Sequence, residues 1–281
     1  MKIFNMWRYD AAHSKKQTDI MLTILFFFTL CSCILFYLQK EDYYTVLKKE
    51  TPYGTWLDYV CYVIAGTIKY IPDHISRFEI PGRWLIFHLI LLYGTLQYPY
   101  HDLTEPLGSH ILLKGRSRSN WWIGKSLWCV AYILKAYIIV YATTYIFCFF
   151  MGESVKWKLN ATLLYDMCGI ECPKHPSLFV TLLAISFLYS VVMSWLQMLL
   201  MLWLKPIYSF LALIISMLVS AYVSSPFLIW NYAIPFRVEG IDPDGFPLKT
   251  GLILGIVSAC VLLLTGIICF RRYDIYGKDD E

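Results

Sequence analysis

Six runs of about 20 mostly apolar residues, at 20–38, 83–100, 126–150, 177–203, 207–230 and 251–270, constrain this chain more than any other feature. A helix rises about 1.5 Å per residue, so ~20 residues cross the ~30 Å hydrocarbon core of a bilayer. Backbone polar groups have no water there and must be satisfied within the segment, which favours helices. The sequence therefore predicts an all-α integral membrane protein with six transmembrane helices. Only 16% of residues are charged, against about 25% in a soluble domain. The apolar excess is gathered into these blocks. A net charge of +4 is too small to point to nucleic acid. No small-residue cleavage site follows the first run, so it is expected to stay as an anchor rather than leave as a signal peptide.

A seventh stretch, "TWLDYVCYVIAGTIKYI" at 55–71, is shorter and carries Asp58 and Lys69. Basic residues next to the membrane mark the cytoplasmic side. With six spans, that side gathers Lys2, Arg8, Lys15, Lys16, Lys114, Arg116, Arg118, Lys125, Lys205, Arg271, Arg272 and Lys278. The expectation is a multi-pass plasma-membrane protein with both termini cytoplasmic, and with 55–71 resting on the outer face or packed over the bundle. Residues 1–19 place Ile3, Phe4, Met6 and Trp7 beside Arg8, Lys15 and Lys16, a pattern for an amphipathic helix lying on the cytoplasmic surface in contact with membrane lipid. Residues 20–281 then form one six-span domain. Pro226 and Pro235 break helices, so the fifth span is expected to end in a bent or re-entrant piece.

"NWWIGKS" at 120–126 ends like a phosphate-binding loop. Such a loop needs a glycine five residues before Gly124, where this chain has Ser119, and a preceding strand. Trp121 and Trp122 fill the turn that would have to surround the phosphates, so nucleotide binding here is set aside. Lys125 reads instead as an anchor at the foot of the third span. No Cys/His cluster has metal-ligand spacing, and no cofactor is expected on this chain. Cys168 and Cys172, four residues apart on an external loop, are candidates for a disulfide. Asn160-Ala161-Thr162 is a glycosylation sequon on the same loop. Lys135, about 15 Å along the helix from Lys125, together with His88 and Gln197, are polar groups within spans. They are candidates for a substrate path, against interhelical hydrogen bonds or snorkelling. No nucleophile–base pair or intramembrane carboxylate pair supports an enzyme.

The loop 101–126, "HDLTEPLGSHILLKGRSRSNWWIGKS", is basic and carries an apolar Leu107, Ile111, Leu112 and Leu113. A short helix over 105–113 would offer a docking face, with Lys114, Arg116 and Arg118 beside it. Glu105, Gly108, Leu112, Leu113, Arg116, Ser117, Arg118, Trp121, Trp122 and Lys125 form a pattern that resembles type-2 ABC transporter permeases of Gram-positive bacteria. "CFRRYDIYGK" is similar to their tails through Phe270, Arg272, Asp274 and Ile275. "NYAIPFR" resembles the stretch after their fifth span.

The resemblance implies that this loop, 101–126, carries a coupling helix, between spans two and three, that docks on a separate ATPase subunit. The coupling residues it implies are Glu105, Gly108, Leu112, Leu113, Arg116 and Arg118. It further implies a second permease subunit, identical or homologous, with ATP and Mg bound by the partner ATPase. The function implied is an exporter of a peptide, lipid or drug-like amphipathic substrate. An ATP-independent transporter or channel, or a membrane-embedded sensor or assembly protein, is the alternative reading. Inverted repeats, a carboxylate relay or a signalling domain would favour it.

Overall fold

The computed structural model describes residues 2–70, 78–104, 118–171 and 177–273. Nine helices follow one another among them: α1 Lys2–His13, α2 Lys15–Val46, α3 Trp56–Ile64, α4 Gly82–Thr104, α5 Arg118–Phe150, α6 Ala161–Cys168, α7 Phe179–Leu200, α8 Pro206–Tyr222 and α9 Leu248–Arg272. The described residues form an all-helical fold, and among them four helices, α2, α5, α7 and α9, are long and apolar enough to cross a membrane. These mark the chain as a membrane protein. The apolar α8 has 17 residues. The 23-residue α4 is interrupted by Arg83, His88 and Asp102.

Local signals set the boundaries. Thr55 and Asp58 form a reciprocal capping box at the start of α3, satisfying two of the donors that a helix start leaves orphaned. Gly66, at φ 76°, follows the end of α3, so the 55–71 stretch yields a nine-residue helix, too short to cross a bilayer. Its Leu57, Tyr59, Val60, Val63 and Ile64 are buried, so it packs over the bundle. Asn160 caps α6 through its side-chain oxygen, and its amide nitrogen donates to Tyr53 O at 2.8 Å. The sequon asparagine is thus already bound to backbone.

The fifth apolar run does not stay helical throughout. Helix α8 stops at Tyr222, and two short 3-10 turns, Ile229–Ala233 and Pro235–Arg237, follow. Arg237 donates to Ser220 O and Ala221 O at the end of α8 and to Asn231 Oδ1, at 2.9, 2.6 and 2.7 Å. It closes carbonyls that a helix C-terminus leaves without partners. Burial lowers the Arg237 pKa to about 10. From Trp230 to Val238 the irregular segment is buried against protein, whereas Pro226 and Phe227 before it are exposed.

Three connections meet at one end of the bundle, the cap end. Trp56 N donates to Ser154 O and Ser154 N to Gly54 O, while Phe236 N reaches Ala65 O. The opposite end, the foot, joins α1, the end of α4, the start of α5 and the end of α9. There Trp121 stacks on Phe270 at 4.4 Å, and both are fully buried. Lipid tails are as apolar as the side chains, so helices in a bilayer associate through close packing and interhelical hydrogen bonds. Gly266 of α9 lies directly on the Trp122 indole, and Gly94 of α4 on the Tyr132 hydroxyl. A methyl group at either glycine would collide with its neighbour.

Candidate functional site

The foot of the bundle holds a buried ionic cluster. Lys125, 1% exposed, donates to Asp10 of α1 at 2.7 Å and contacts Asp102 of α4 at 2.9 Å. Tyr98 donates to Asp10, and Trp121 Nε1 to Asp102, each at 2.8 Å. One cation thus fastens three helices, and its ammonium also lies 4.2 Å from the Tyr98 ring. Burial pushes the Asp10 carboxyl above its ordinary range, against the opposing pull of Lys125. Trp128 Nε1 donates to Ser14, at the bend between α1 and α2. Lys125 is therefore not a surface anchor: it is the buried centre of a clasp.

Helices α4 and α5, which that clasp holds, flank the loop carrying the docking pattern. Glu105, Gly108, Leu112, Leu113 and Arg116 lie outside the described residues, as do Asp274 and Ile275. Arg118, at the first position of α5, donates to Arg271 O and Tyr273 O at 3.1 and 2.6 Å. It ties the foot of α5 to the end of α9.

A second polar group runs through the interior. Ser186, Ser190 and Ser194 recur every four residues along α7 and are buried. Ser190 meets His88 Nε2 of α4 at 3.3 Å and the Tyr137 hydroxyl of α5 at 3.0 Å. Thr95 of α4 donates to Ser194 at 3.2 Å. Gln197 continues this face at 1% exposure, and neither atom of its amide has a partner among the described residues. His88 and Gln197 thus share one seam between α4 and α7. Lys135 does not join them. The buried stripe of α5 runs through Tyr132, Ala136 and Val140, and Lys135 sits one position off it, exposed.

At the cap end, Lys40 of α2 pairs with Glu153 just beyond α5, and Tyr59 of α3 donates to the same carboxylate at 3.2 Å. The Asp58 carboxylate accepts Thr55 N and Thr55 Oγ1 on one oxygen and Asn160 N on the other. Burial nevertheless raises its pKa to about 6. Cys168 lies at the end of α6, and Cys172 is outside the described residues. Among the described residues no group of His, Cys, Asp and Glu has the arrangement of a metal site.

The sequence singled out His88, Lys135 and Gln197 but not Asp10 or Asp102. Asp102 lies two residues beyond the predicted second span, but Asp10 lies ten residues before the first, and nothing local in the sequence marks either as a partner of Lys125. No family model matches the chain, and no curated protein or solved structure is similar to it.

Proposed function

We propose that this chain is the membrane-embedded subunit of an ATP-driven exporter of the type-2 ABC permease kind, crossing the plasma membrane six times with both termini in the cytoplasm. It works beside a second permease subunit and two ATPase subunits that bind ATP and Mg. Its cargo is a peptide, lipid or drug-like amphipathic molecule. The observation that carries this reading is the Lys125 clasp: α1, the end of α4 and the start of α5 are held as one block on either side of residues 105–117.

A force applied by a partner to that loop, through Leu112, Leu113 and Arg116, enters both flanking helices together. Because Asp10 and Asp102 share Lys125, the surface helix α1 moves with them instead of sliding along the membrane. The hydroxyl-rich seam, where Ser190 and Ser194 of α7 meet α4 and α5, lies farther along the bundle. Interhelical hydrogen bonds within a bilayer average about 0.6 kcal/mol, weak enough to exchange during such a movement. His88 and Gln197 belong to this seam. Lys135, on the outer face of α5, can line a path only where a second subunit covers that face, because a charge inside a membrane needs a wet or paired surrounding.

Purification in mild detergent from the native host, with mass spectrometry of what co-purifies, tests the reading. A stoichiometric ATPase is expected, lost with Arg116→Glu and retained with Lys125→Met, which instead uncouples hydrolysis from transport. An intact, folded chain that carries no ATPase would overturn the assignment in favour of an autonomous transporter or sensor.

A further inference from the structure

The cap carries a groove that none of the interactions described so far occupies. Its inner part, about 200 Å³, lies between α3, α6 and the start of α4. A second part of about 340 Å³ adjoins it along the start of α4. Tyr62, Gly66, Thr67, Glu79 and Arg83 belong to both parts, so the two are one groove, of a size that takes small ligands. One side of the inner part is apolar: Phe36, Leu159, Leu163, Leu164 and Phe236 are all buried yet border the cavity.

Arg83 stands where the two parts meet. Its guanidinium lies over the Tyr62 ring at 3.5 Å, and its Nε donates to Tyr62 O at 3.0 Å. Stacking and one hydrogen bond fix the plane of the fork. Its guanidinium also interacts with the Tyr62 hydroxyl, and among the described residues no carboxylate pairs with it. A guanidinium held in this way is pre-organised for bidentate binding of a carboxylate. Asp58 in the inner wall does not compete for it, since both its oxygens are taken by Thr55 and Asn160. Glu79 lines the mouth without pairing to Arg83. Its charge disfavours a dianion such as a phosphate monoester and leaves a single carboxylate as the matching head.

We propose that this groove binds an apolar molecule with one carboxylate head, the carboxylate on Arg83 and the apolar body in the inner cavity. The C-terminal residue of an apolar peptide and a medium-chain fatty acid share that chemistry. The inference stands apart from the exporter reading, whose test is the associated ATPase.

The full chain in lipid nanodiscs is titrated with an acetylated tripeptide ending in phenylalanine, with the same peptide as its C-terminal amide, and with octanoate. A hydrogen-bonded charge contributes about 1.5–3 kcal/mol, so at least one of the two acids is expected to bind about tenfold or more tightly than the amide. Arg83→Gln abolishes that advantage, and Leu163→Trp, which fills the inner cavity and leaves Arg83 in place, abolishes binding. Arg83 is exposed, so its loss leaves the fold intact, and an unchanged unfolding midpoint for Arg83→Gln confirms this. Binding of the peptide acid alone, of octanoate alone or of both identifies the source and supports the site. Binding of neither acid, equal binding of acid and amide, or binding that survives Arg83→Gln overturns it.

Discussion

Lys125 holds two carboxylates and is shielded from water almost completely. Removing one partner of a buried ion pair leaves uncompensated charge, at a cost on the order of 3–5 kcal/mol. Lys125→Met is therefore expected to lower the unfolding midpoint of the purified protein sharply, with Asp10→Asn in the same chain recovering part of the loss. Thermal unfolding in detergent measures both. Asp58 gives a pH signature. Its folded pKa of about 6 lies above the ordinary 3.8, so the stability that the protonated carboxyl contributes is full below about pH 4. It is lost as pH rises to about 6, amounting to roughly 3 kcal/mol at about 1.4 kcal/mol per unit. The unfolding midpoint should fall across that window, and Asp58→Asn should be less stable overall but flat over the same range. A slope that persists in Asp58→Asn would place the titration elsewhere. The partners of Lys125 were hidden in the sequence because Asp10 lies 115 residues away, and no local pattern records such a pairing. His88 and Gln197 stood out because a polar residue in an apolar run is conspicuous without any knowledge of its partner.

Among the elements, the contact between α5 and α9 rests on Gly266 against the Trp122 indole. Gly266→Ala forces the helices apart or the ring off its rotamer, at about 1–3 kcal/mol as for other overpacked cores. It also loosens the stacking of Trp121 on Phe270. A lower unfolding midpoint together with a shifted tryptophan emission would register both effects, and Gly82→Ala, where a methyl meets nothing, is the control. Helices α2, α5, α7 and α9 were legible from hydropathy alone, because a continuous apolar run of that length has one stable form in a bilayer. Prolines 226 and 235 announced that the fifth run would not remain helical. They did not announce where it stops, since Tyr222 is last because Arg237 and Asn231, which come later in the chain, take the free carbonyls. The opening π-helical turns of α7, Phe179–Ile185, left no mark in composition.

Across the whole molecule, the two ends of the bundle are built differently. The foot is closed by stacked tryptophans and one shared cation, and the cap by interleaved loops with the buried Lys40–Glu153 pair and a groove. The apolar runs said nothing of this asymmetry, which arises from contacts between connections far apart in sequence. Helix α5, with 33 residues, is about 50 Å long, well beyond the ~30 Å hydrocarbon core. It begins beside Trp121 in the foot and ends beside Cys148 and Glu153 in the cap. A single stiff rod longer than the bilayer is thick acts as a pushrod. A displacement of its opening turns at Lys125 is therefore delivered to its last turn beside Glu153 without passing through a hinge.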